Sequence, residues 1–69
     1  MRLRFSRIAD YAVRAALEIA RVDGDHLVTR RALAEATDAP HAVLAQALAP
    51  LVRAELLVAQ AGPRGGYRL

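Results

Sequence analysis

The chain has 69 residues, 55% of them hydrophobic, no cysteine, and a formal net charge of +3 from ten basic and seven acidic side chains. That length accommodates one small core and excludes a second, so residues 1–69 are expected to fold as a single domain with little stability in reserve. Without cysteine, these residues cannot form disulfides, thiolate nucleophiles or cysteine-held metal clusters; all the bases are arginine, an excess that suits an anionic partner without demanding one.

No apolar run approaches the length of a membrane span. The opening MRLRFSRIADY spreads charges where a signal peptide needs an apolar block, so a soluble cytoplasmic protein is expected. From Arg7 to Val22, the polar residues Arg7, Asp10, Arg14, Glu18 and Arg21 recur every three or four positions, which predicts a helix with one charged stripe of alternating sign. Ile8, Tyr11, Ala12, Ala15, Leu17, Ile19 and Ala20 are expected to pack inward. The DGD stretch at Asp23 to Asp25 ends that helix, with Gly24 suited to a left-handed residue after the last turn.

After the short apolar step His26-Leu27-Val28, Thr29 is placed to cap a two-turn helix over Arg30 to Ala36. Thr37-Asp38-Ala39 reads as a tight turn in which Asp tolerates left-handed geometry, and Pro40 as the first position of the next helix. Val43, Leu44, Ala47, Leu48, Leu51 and Val52 set the period of that helix. Pro50 removes one backbone bond and crowds the Gln46 carbonyl, which predicts a kink, or a break with a fresh turn to Ala54. Beyond Glu55, Leu56 to Gln60 reads as a strand, Gly62 to Gly65 as a turn, and Tyr67 to Leu69 as a returning strand.

Two helices joined by a tight turn, at about 30–49, form a helix-turn-helix signature. Ala34 and Ala36 suit the crossing of the two axes. With Val43, Leu44, Ala47 and Leu48 turned inward, the second helix is left with His41, Ala42, Ala45 and Gln46 for the bases of a major groove. Gln46 can pair bidentately with adenine, and Ala42 or Ala45 can touch a thymine methyl. A hairpin at about 56–69 with a cationic tip makes this the winged variant. Arg64 stands at the tip and Arg68 in the returning strand, and the glycines let backbone approach phosphate. A nucleotide-binding loop is disfavoured, because no strand-then-helix frame surrounds these glycines. The expected fold is mainly α with a small β-hairpin: three helices plus a two-stranded wing.

These stretches resemble the IscR and NsrR type of bacterial winged helix-turn-helix regulators. MRLRFSRIADYAVRAALEIA is similar to the first helix of that family, ALAEATDAPHAVLAQALAPLVRAELLV to its helix-turn-helix, and GPRGGYRL to its GPGGGY wing. The resemblance implies transcriptional regulation, as a repressor, by a symmetric homodimer on a palindromic duplex DNA operator, with the wing in the minor groove. It further implies that Tyr11 and the Arg4 to Arg7 segment approach phosphates. Thr29, Arg30, Arg31, Arg53, Arg64 and Arg68 join them as backbone contacts. Where many members carry glutamate and glutamine in the recognition helix, this chain has Ala45 and Gln46. Ala61 stands where members often have arginine before the wing, and Glu55 where the helix end usually has glycine. Family members that bind an iron–sulfur cluster hold it through cysteines beyond the wing, where a long helix also dimerises them; these residues supply no such ligand, so no cofactor is expected in them.

His26 and His41 stand apart from any clustered ligands and give no metal site. A rival reading is a winged-helix protein-interaction module, since the recognition helix is rich in Ala, Val and Leu. Enzymatic activity is disfavoured, with one serine, no cysteine and no carboxylate pair spaced for acid–base work.

Overall fold

A computed structural model describes residues 6–22 and 26–69. Three helices, α1 (Arg7–Ala20), α2 (Arg30–Thr37) and α3 (His41–Arg53), are followed by strands β1 (Val58–Gln60) and β2 (Gly66–Arg68). The expected mainly α architecture with a two-stranded wing is present. The DGD turn and the Arg4 segment lie outside the described residues.

Side chains start two of the helices. Ser6 Oγ accepts from the Ala9 amide at 3.1 Å, and Thr29 Oγ1 accepts from the Ala32 amide at 3.1 Å, each satisfying a donor that has no intrahelical partner. Pro40 precedes α3 instead of occupying its first position: its backbone is extended, and its carbonyl accepts from Leu44 N at 2.9 Å. Its missing N–H is harmless in either place.

α2 runs one residue past the expected end. Thr37 stays helical and buried because its Oγ1 donates to the Leu33 carbonyl at 2.6 Å, which satisfies the hydroxyl inside the core. Asp38 then takes the left-handed conformation expected of it, at φ 57. The Ala39 amide reaches back to the Ala34 carbonyl and closes the turn.

Pro50 does not break α3, which continues unbroken to Arg53. The bond lost is to the carbonyl of Gln46, an exposed residue. Leu44, Ala47 and Leu48 before the proline are buried, and Leu51 and Val52 after it pack on the same core. Apolar burial on both sides therefore outweighs one missing hydrogen bond. α3 ends in a left-handed turn at Glu55, φ 62, with Leu56 N bonded to Leu51 O at 2.9 Å and Glu55 N to Val52 O at 3.0 Å. The departure at Glu55 is thus resolved by a non-glycine residue in the conformation glycine prefers.

The core joins all the elements: Ala15 and Ile19 from α1, Leu33 from α2, Leu44 and Leu48 from α3, then Leu57 and Tyr67. Leu17, expected inward, is 60% exposed, and Ile8 and Ala20 are exposed too. At 100° per residue, Leu17 points about 200° away from Ala15 and from Ile19, hence to the far side of the helix. Ala36 is likewise exposed, so Ala34 alone sits against the core at the α1–α2–α3 junction.

The hairpin is shorter than its sequence suggests, because Leu56 and Leu57 belong to the turn after α3. Val58 pairs with Arg68, Ala59 with Tyr67 and Gln60 with Gly66, antiparallel. A bridge absent from the sequence reading completes it: Val28 N donates to Tyr67 O at 2.8 Å, and Tyr67 N to Val28 O at 2.9 Å. The residue before the cap of α2 is thereby tied to the wing.

Candidate nucleic-acid interface

The Val28–Tyr67 bridge decides the geometry of the site, because it seats the wing beside the N-terminus of α2. Gly66 permits the seating. A Cβ there would overlap the Val28 carbonyl oxygen, and would lie 2.8 Å from Val28 C and 3.2 Å from Thr29 Cα. Gly65 is needed for the turn itself: a Cβ would run into the Gln60 carbonyl oxygen, while Gly65 N donates to Gly62 O at 3.0 Å. Gly62 adopts φ +103, which side chains rarely tolerate, and has open space around it. Gly65 and Gly66 thus answer to neighbours within the fold, which fits the turn expected at Gly62, Gly65 and Gly66 and leaves phosphate approach unneeded to explain them. Tyr67 is buried and anchors the returning strand.

Between wing and helices lies an open groove of about 840 Å³. Thr29, Arg30 and Arg31 from the start of α2 and His41 from the start of α3 form one wall, and Gln60 to Pro63 of the wing form the other. Two helix N-termini, with their unsatisfied amides and positive dipole ends, therefore open toward one concavity, an arrangement that favours anions. Among the described residues, no acidic side chain lines it. The ion pairs of the described residues, Arg14–Asp10 and Arg21–Glu18, both at 3.2 Å, lie on α1. The groove arginines have no acidic partner among the described residues.

The structure thus brings four of the expected site residues together: Thr29, Arg30, Arg31 and His41. Ala42 and Gln46 are exposed further along α3, and Ala45 is half-buried between them. Arg64 is exposed in the wing tip outside the groove lining, and the Arg68 guanidinium donates to the Leu69 carbonyl at 3.1 Å. Arg53 lies at the other end of α3, about 18 Å from His41 along the axis. Arg7 is exposed in the first turn of α1; Tyr11 is half-buried with its ring against the core. The sequence reading missed the backbone wall of Gln60 and Ala61 and the bridge that holds it. The Gly-Gly pair directly before an aromatic strand residue carried that signal, since paired glycines mark close backbone approach.

Among the described residues, no three His, Cys, Asp or Glu side chains converge as a metal would require, and none of the 69 residues is cysteine. These residues do not fit an iron ion or an iron–sulfur cluster. Among the described residues, no helix is long and apolar enough to cross a membrane.

Residues 5–69 match the Rrf2 family model, described as an iron-dependent transcriptional regulator. Among solved structures, the global cysteine regulator CymR (YrzC) of B. subtilis is similar at 26% identity and a TM-score of 0.85, over 99% of this chain and 53% of that one. IscR of T. potens is similar at 31% identity and a TM-score of 0.80, over 97% of this chain and 49% of that one. The chain thus spans about half the length of these structures. No curated protein matches its sequence.

Proposed function

The chain belongs to the Rrf2 family of transcriptional regulators, and from that premise we propose that residues 1–69 act as one duplex-DNA-binding domain of a cytoplasmic repressor. The observation that carries the reading is the groove in which Arg30, Arg31, His41 and the N-termini of α2 and α3 face the wing, with no acid in the lining among the described residues. A phosphate strand in that groove would meet arginines and helix amides from one side and wing backbone from the other.

With the strand so held, the exposed flank of α3 bearing Ala42 and Gln46 enters the major groove. Gln46 reads adenine there, His41 donates or accepts at the entrance, and half-buried Ala45 offers only its methyl. Arg64 extends the contact from the wing tip, and Arg7, Tyr11, Arg53 and Arg68 supply flanking backbone contacts with Arg4. Two copies related by a two-fold axis recognise a palindromic operator and block transcription by occupying it.

The contrast between two kinds of variant tests this. Arg30→Ala with Arg31→Ala should weaken binding to every duplex alike and flatten the dependence of log affinity on log salt by about two. Gln46→Ala should instead cost about 1–3 kcal/mol at a single base pair and relax preference there. Uniform weakening by Gln46→Ala, or an unchanged salt slope in the arginine variant, would overturn the assignment.

A further inference from the structure

The register of the hairpin sets one more side chain at the groove. Val28 bridges Tyr67, Ala59 pairs with Tyr67, and Gln60 pairs with Gly66, all antiparallel. One step along from the bridge, Thr29 stands opposite Gly66. Thr29, Gly66 and Gln60 therefore form one row across the three segments, on the face opposite the row of Val28, Tyr67 and Ala59. Val28 and Tyr67 pack on the core, so the row from Thr29 to Gln60 turns to the groove, which all three of its residues line. Glycine in the middle leaves no side chain between Thr29 and Gln60. The space its Cβ would take is filled by the backbone of Val28 and Thr29, which draws the start of α2 toward Gln60.

Both ends of the row have hydrogen-bonding capacity to spare. Thr29 Oγ1 accepts from the Ala32 amide at 3.1 Å, while its own O–H donates to nothing among the described residues. The Gln60 side chain has no hydrogen-bond partner among the described residues either. The amides of Arg30 and Arg31 begin α2 and have no intrahelical acceptor. Donors thus converge from two sides of one gap.

We propose that Gln60 is a positioning residue of the DNA interface: its side-chain amide donates to the same backbone phosphate that the Thr29 hydroxyl and the first amides of α2 hold, clamping it between wing and helix-turn-helix. The inference rests on the DNA-binding reading and adds to it a side chain that fixes where along the strand the protein sits. A carboxamide is uncharged and releases no counterion, so its contribution is independent of salt, unlike that of Arg30 and Arg31. Every step of a duplex carries a phosphate, so the contribution is independent of base sequence as well. A hydrogen bond to a charged acceptor is strong enough to register, at roughly tenfold in affinity.

Duplex affinity as a function of salt, measured for variants at this position, tests the clamp. Gln60→Ala should weaken binding about tenfold on every duplex alike, with the salt slope unchanged. Gln60→Glu, near in size but negative, should weaken it further, and most at low salt. Gln60→Lys should restore affinity and steepen the slope by about one. The Val28 and Tyr67 amides should exchange as slowly in Gln60→Ala as in the wild type; faster exchange would assign the side chain to the stability of the wing and overturn the clamp. An affinity unchanged by Gln60→Ala, a loss confined to one base pair, or Gln60→Glu binding as tightly as the wild type overturns it too, while leaving DNA binding intact. Inorganic phosphate separates this from failure of the DNA reading. Titrated into the wild type, it should shift the NMR signals of the Gln60 side-chain amide and the Arg30 backbone amide together, and Gln60→Ala should reduce the Arg30 response. Those shifts in a chain with no affinity for duplex DNA would sustain the clamp and remove the proposed function; a titration that moves neither signal overturns the clamp.

Discussion

At Glu55 an L-residue holds φ 62, where a side chain costs about 1–2 kcal/mol relative to the right-handed regions. The turn it makes is fixed by the two amides that return to Leu51 and Val52, so the conformation is imposed by the end of α3. Glu55→Gly should relieve that cost, less the greater freedom of glycine in the unfolded chain, for a net gain of about 1 kcal/mol. In a domain this small, the thermal midpoint should rise by about 4–8 °C, read by circular dichroism, with DNA affinity unchanged. A lower midpoint would show that the Glu55 side chain contributes more than its backbone costs. The left-handed residue at Asp38 was legible because Asp is known to tolerate that geometry. At Glu55 only the mismatch with the expected glycine was visible, and the outcome depended on core residues on either side of the turn.

At the level of elements, the wing depends on α2 as much as on its own pairing. Strands of three residues make a hairpin that is marginal alone. The Val28–Tyr67 bridge and buried Tyr67 hold it in place. Gly66→Ala introduces a Cβ into the Val28 carbonyl, so the wing must move off the start of α2. The amides of Val28 and Tyr67 should then exchange faster with solvent and DNA affinity should fall, while helical circular dichroism persists. Slow exchange at both amides in the variant would contradict this role for Gly66. The sequence pattern placed α1, α2 and the start of α3 within one or two residues. It misplaced Leu17, because a long apolar residue two positions from the buried line looks inward until the helix is oriented. It also overweighted Pro50, because local backbone chemistry is visible in sequence and the packing of Leu51 and Val52 is not. The Val28 bridge joins positions 39 residues apart, and no local pattern announces such a pairing.

At the scale of the whole molecule, one small core serves both the fold and the interface. Leu44 is fully buried on the recognition helix, among residues from α1, α2 and the wing. Leu44→Ala should cost about 3 kcal/mol, comparable with the ~3–5 kcal/mol a core of this size supplies. Denaturant titration should find the variant largely unfolded near room temperature, and a loss under about 1 kcal/mol would mean the site collapses around the cavity. The division of labour between the groove arginines and the paired charges of α1 was only partly legible. Composition showed an arginine excess diluted by acids; among the described residues the fold separates the two, with ion pairs along α1 and arginines beside the wing that meet no acid. The measurement that reaches the central claim most directly is the affinity of the chain for duplex DNA as salt is varied. Log affinity should fall linearly with log salt, and Arg64→Ala with Arg68→Ala should reduce the slope by about two. Absence of binding at the lowest salt, or an affinity indifferent to salt, would contradict a DNA-binding wing and groove.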